Sequence, residues 1–239
     1  MTMSDTSVLD DPVGTSLTGT HAHLARRVGR AVTFEADVAT FSSVGTDPDL
    51  QSWADLARLL GPGGAADLFD CPAPPPAEWE QVFSLDGVQL VATTSTNDDA
   101  ETDGSGYSAL VELGADDVPA MLDLVRRTAP GPFRPRTHEL GTYLGVVEGG
   151  TLVAMAGERL RPPGWTEISA VCSAPEARGR GYATRLVTAL AARIAARGER
   201  PFLHAAASNT GAIALYERLG FAVRKPVTFR GFRVPDSVR

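Results

Sequence analysis

The segment with the most chemical content is Ser173-Ala-Pro-Glu-Ala-Arg178-Gly179-Arg180-Gly181-Tyr182-Ala183-Thr184-Arg-Leu-Val187. It reads as the end of a strand, a tight turn and the start of a helix. A helix start offers backbone N–H groups with no intrahelical partner, and the aligned peptide dipoles make that end electropositive. Glycine lets backbone close on an anion with no side chain in the way. The turn is therefore a candidate pyrophosphate cradle, with Arg178 and Arg180 adding positive charge at its rim. A bare glycine pair before a helix is also the signature of an ordinary strand-to-helix turn. A P-loop would need lysine and then serine or threonine, but Tyr182 follows Gly181. A dinucleotide fingerprint would place a third glycine where Thr184 stands and an acidic residue about 20 positions on, and no acid occurs there before Glu199.

A second segment, Ser208-Asn209-Thr-Gly-Ala-Ile213-Ala-Leu-Tyr216-Glu-Arg-Leu219-Gly-Phe221, reads as a helix capped by Ser208 or Asn209. Asn209 could also bond a ligand amide. Tyr216 lies about two turns further along the same side. It belongs either to a site or to a buried stripe with Ile213 and Leu219, its hydroxyl tied to a backbone carbonyl.

Taken together the two segments resemble the GNAT superfamily of N-acetyltransferases. Arg178-x-x-Gly181-x-Ala183 is similar to its R/Q-x-x-G-x-G/A signature, and the Asn209 to Phe221 segment to its later Asn…Tyr…Gly-Phe helix. The resemblance runs from Tyr107 to about Arg233. The amino-terminal region resembles, more loosely, the degenerate first half of glycine-N-acyltransferase-like members. The resemblance implies an α/β (α+β) fold whose mixed, largely antiparallel sheet splays open after Trp165–Ser173, flanked by helices and joined to a smaller amino-terminal α/β region. It implies acetyl-CoA as co-substrate and no metal, with backbone groups near Val171 and Ser173 bonding the pantetheine amides. The amides of Arg178, Gly179, Arg180, Gly181, Tyr182, Ala183 and Thr184 would hold the pyrophosphate. An amine would attack the thioester directly in a ternary complex, and Tyr216 would protonate the leaving thiolate.

An alkyl amine, with a pKa near 10, must lose a proton before attack. Glu167 is the candidate base, sharing a strand face with Ser169 and Val171 at period two. The family's glutamate stands about two residues upstream, where this chain has Trp165, so a Glu167–arginine pair is the competing reading. His204 could serve instead or be a core histidine. Cys172 falls on the opposite face and reads as a small core residue. The acceptor is a small-molecule amine or a peptide or protein amine. Its site is shaped by the loops at Thr128–Gly141 and Arg161–Trp165 and by the amino-terminal region. The alternative function is an acyl-CoA sensor or scaffold without catalysis.

The elements that must position these residues alternate strand and helix after Tyr107: a helix from Asp116 or Asp117, a hairpin through Gly149-Gly150, the strand Trp165–Ser173, a helix with Leu186, Val187, Leu190 and Ile194 on one side, a further strand, the Asn209 helix and a closing strand. The acidic run Thr93–Gly106 reads as a linker, dividing residues 20–92 from 107–239. Ahead of it, Ser52–Leu60 suits a short helix, Val82–Thr93 a hairpin turning at Asp86-Gly87, and the first 19 residues a loose terminus. His21 and His23 form an isolated H-x-H with no further ligand. The formal net charge of -7 argues against sequence-independent nucleic-acid binding. Two unlike, distant cysteines and no signal-like or membrane-length apolar run make a soluble, cytoplasmic protein the expectation. A homodimer is compatible with the sequence.

Overall fold

A computed structural model describes residues 6–93 and 109–236. Beyond Thr93 the stretch read as a linker lies outside the described residues. The strands are β1 (Ala25–Val28), β2 (Ala31–Phe34), β3 (Phe41–Ser43), β4 (Ala65–Phe69), β5 (Glu80–Ala92), β6 (Leu110–Leu113), β7 (Tyr143–Glu148), β8 (Thr151–Glu158), β9 (Trp165–Ser173), β10 (Arg200–Ala206) and β11 (Phe221–Arg233). They form one sheet in the order β1-β2-β3-β4-β11-β5-β10-β9-β8-β7-β6. Only β3–β4 and β9–β10 pair in parallel. The mixed, largely antiparallel sheet flanked by helices is thus present.

The helices are α1 (Pro12–Thr18), α2 (Leu50–Leu60), α3 (Val118–Thr128), α4 (Tyr182–Ala196) and α5 (Thr210–Arg218). α4 buries Leu186, Val187, Leu190 and Ile194 against the sheet, the stripe its sequence spacing requires. Each is worth about 1.5–3 kcal/mol relative to exposure. Gly198, at φ 78°, ends it in the left-handed conformation that glycine adopts freely. The β7–β8 hairpin turns at Gly149-Gly150, both at positive φ.

Three amino-terminal expectations fail. Residues 6–18 are not loose: α1 is capped by Asp11, and Leu9, Val13 and Leu17 are buried with Phe34, Trp165 and Phe202. The hairpin expected over Val82–Thr93 is absent: Val82–Ala92 belongs to one strand, β5, which runs straight through Asp86-Gly87. Gly87 serves close packing: a Cβ there would lie 2.4 Å from the Phe229 ring and 2.8 Å from the Ala205 carbonyl oxygen. Asp49, not Ser52, caps α2; Ser52 returns the bond, closing a capping box.

β5 also lies between β10 and β11, pairing with both. A strand that precedes the acidic stretch is therefore interior to the sheet built by the residues after it. Among the described residues no helix is long and apolar enough to cross a membrane.

Candidate active site

The parallel β9–β10 ladder runs from Trp165 opposite Arg200 to Ile168 opposite Leu203 and stops, although β9 continues to Ser173 and β10 to Ala206. Beyond that point β10 stays with β5 and β9 with β8, so the sheet opens between them. A bulge marks the opening: Gly157 faces Ser169, but Met155 faces Cys172. Ala170, at φ 53°, is the extra residue. The bulge inverts the alternation beyond it. Val171 therefore does not share a face with Glu167, and Cys172, expected on the other face, does. No glycine flags this position, so the sequence gives no warning of it.

At the end of β9 a short 3-10 turn leads through Arg178, Gly179 and Arg180 to Gly181, the residue before α4. Gly179 and Gly181 are both left-handed, at φ 76° and 74°, and a Cβ on either would meet no atom within 4 Å. Packing leaves this backbone open, and no side chain caps the first turn of α4. Its free N–H groups face an unobstructed approach, which fits a pyrophosphate. Arg178 is exposed and makes no ion pair among the described residues. Arg180 is engaged, bonding Glu148 Oε2 at 2.9 Å and the Glu176 carbonyl at 3.1 Å. The Tyr182 hydroxyl also donates to Glu148, and its ring is buried, so only its backbone faces the cradle. Ala183 and Thr184 are half-buried in the first turn.

Asn209 caps α5 by accepting from Ala212 N at 3.2 Å, which leaves its amide N–H groups for another partner. Tyr216 is buried with its ring 6.3 Å from that of Phe221, and burial pushes its hydroxyl up to about 12. That hydroxyl bonds no protein group among the described residues, so it is not tied to a backbone carbonyl.

Glu167 is fully buried. Arg159 grips it in a fork, Nε to Oε2 at 2.8 Å and Nη2 to Oε1 at 2.6 Å. His204 Nδ1 lies 2.7 Å from Oε1. Burial raises the carboxyl pKa, but the Arg159 charge and the hydrogen bonds outweigh it and bring it down to about 2. A carboxylate so placed is a poor proton acceptor, and both of its oxygens are already bonded by Arg159 and His204.

His204 is held on its other side by Gln89. Gln89 Oε1 accepts from Arg224 and its Nε2 donates to the Leu9 carbonyl, which fixes the amide and leaves an N–H for His204 Nε2 at 3.1 Å. Assigned from that network, Nδ1 carries the proton toward Glu167. Arg159, Gln89 and Arg224 had no sequence signal, because their contacts are made only across neighbouring strands. His21 bonds the Leu140 carbonyl at 3.0 Å inside the core. Among the described residues no three His, Cys, Asp or Glu side chains are grouped to hold a metal.

The FR47-like protein family model matches residues 143–229, which span β7, the cradle and α5. A GNAT-family protein from Novosphingobium aromaticivorans is 36% identical, with a TM-score of 0.83 over 96% of this chain and 99% of that one. A GCN5-related N-acetyltransferase from Kribbella flavida shares the fold at 17% identity, TM-score 0.55, over 94% of this chain and 95% of its own. No curated protein matches the sequence. The chain belongs to the GNAT family of acetyltransferases, and the match to the Novosphingobium protein extends over its amino-terminal region as well. Acetyl-CoA is the co-substrate of that family, and the open cradle before α4 fits it.

Proposed function

We propose that this protein transfers an acetyl group from acetyl-CoA to an amine, by direct attack of the amine within a ternary complex. One observation carries the reading: the sheet opens beside β9, and that same strand leads through two left-handed, unobstructed glycines into an uncapped helix. In this reading the amides from Arg178 to Thr184 hold the pyrophosphate, with Arg178 at the rim. Backbone groups of Val171 and Ser173, freed from β10, bond the pantetheine arm, and the Asn209 side chain is available to it. Tyr216, protonated at any physiological pH and bonded to no protein group, gives its proton to the departing thiolate.

Glu167 is not the base in this reading. It anchors Arg159 and orients His204; the amine sheds one proton to water before attack, and the second, lost from the nitrogen as the amide forms, restores the Tyr216 hydroxyl. That same sealing of Glu167 favours the second reading, an acyl-CoA sensor without catalysis. The two are separated by measuring CoA release from acetyl-CoA over a panel of amines, beside calorimetric titration of acetyl-CoA. Binding with amine-dependent release supports transfer. Binding without release for any amine supports the sensor, and no binding refutes both.

A further inference from the structure

Tyr143, on β7, is buried, and its hydroxyl has no hydrogen-bond partner among the described residues. Such a group is unfavourable unless something outside the protein answers it. Its direction follows from the sheet. Tyr143 pairs with Gly157 and Gly157 with Ser169, and directly paired residues share a face. A Cβ on Gly157 would lie 2.2 Å from both Cδ1 and Cε1 of Tyr143. The ring therefore lies across Gly157 with its hydroxyl end directed toward β9, on the face that carries Ser169, the residue just ahead of the bulge. Gly157 is needed there because any side chain would occupy the place of the ring.

The surroundings define what would be recognised. Phe133, from the loop after α3, meets the Tyr143 ring edge-on at 5.6 Å. The charged groups that act on the hydroxyl, Arg159, Glu167 and Glu158, are each paired: Arg159 with Glu167, and Glu158 with Arg197. The corner is aromatic and without net charge. Burial also keeps the Tyr143 hydroxyl protonated.

We propose that Tyr143 positions the acceptor, its Oη accepting one N–H of a primary amine carried on an apolar stem, so that the nitrogen lone pair stays directed at the opening beside Ser169. This rests on the acyl-transfer reading above. Phenethylamine is the probe, because its stem matches the aromatic wall and its amine is unhindered. Tyr143→Phe keeps the ring and deletes the hydroxyl. With CoA release as readout, kcat/KM for phenethylamine should fall about tenfold to a hundredfold, mostly through KM. Acetyl-CoA affinity should not change, and the melting temperature should stay level or rise, since an unpaired buried polar group has been removed. Unchanged kcat/KM in Tyr143→Phe, or a melting temperature lowered by several degrees, would overturn this inference alone. Turnover of spermidine but not of phenethylamine would overturn the apolar stem. No turnover with either amine, despite acetyl-CoA binding, would remove the acyl-transfer reading and this inference with it.

Discussion

Replacing Glu167 with glutamine removes a charge at almost constant volume and separates two roles that a carboxylate beside an active site can have. In the wild type the carboxylate answers the buried Arg159 guanidinium through two bonds of 2.6 and 2.8 Å and holds His204 Nδ1. Glutamine leaves the guanidinium buried with no counter-charge, and breaking such a pair from one side costs about 3–5 kcal/mol. The acid behaviour gives a second measure. The folded pKa lies below the ordinary 4.5, at about 2, so the ionised pair stabilises the fold fully above pH 4.5 and loses that contribution as pH falls toward 2. The drop corresponds to roughly 3 kcal/mol. Urea denaturation monitored by circular dichroism should therefore show the Glu167→Gln midpoint about 1–3 M below wild type at pH 7. That gap should narrow between pH 5 and pH 3, where wild type loses stability and the variant has no such carboxylate to titrate. A wild-type midpoint at pH 7, with turnover down by a factor of a hundred or more, would refute the reasoning and make Glu167 the base after all.

Gly181→Val puts a side chain into open space at φ 74°, so the protein should fold with only about 1–2 kcal/mol of backbone strain. Its affinity for acetyl-CoA should fall by well over tenfold in a calorimetric titration, and an unchanged affinity would end the cradle assignment. Tyr216→Phe should lower kcat by about 10²- to 10⁴-fold while leaving CoA affinity alone, and wild-type turnover would make Tyr216 a packing residue. A fragment beginning at residue 106 lacks β5, which separates β10 from β11, so gel filtration and circular dichroism should find it unfolded or aggregated. A monomeric, folded fragment that binds acetyl-CoA would show that the sheet closes without that strand.

What could be read along the chain was whatever local physics writes into it. The Leu186, Val187, Leu190 and Ile194 stripe sets the buried face of α4, Gly198 its end, and the Gly149-Gly150 pair the β7–β8 turn. Gly179 and Gly181 mark an open backbone at a helix start, since no bulkier residue adopts their conformation easily. Contacts between distant strands leave no such mark. The period-two alternation of Trp165–Ser173 is interrupted at an alanine, so strict alternation puts Val171 and Cys172 on the wrong faces. Asp86-Gly87 has the letters of a turn, yet the glycine is there to admit Phe229 from β11. Glu167 looks like an exposed carboxylate until Arg159 and His204, from β9's surroundings, close around it and change its protonation chemistry. Tyr143 is just one more tyrosine until β8 brings Gly157 beneath its ring. A residue's backbone preference is its own, but its burial, charge state and partners belong to the strands that assemble around it, and only the folded sheet decides those.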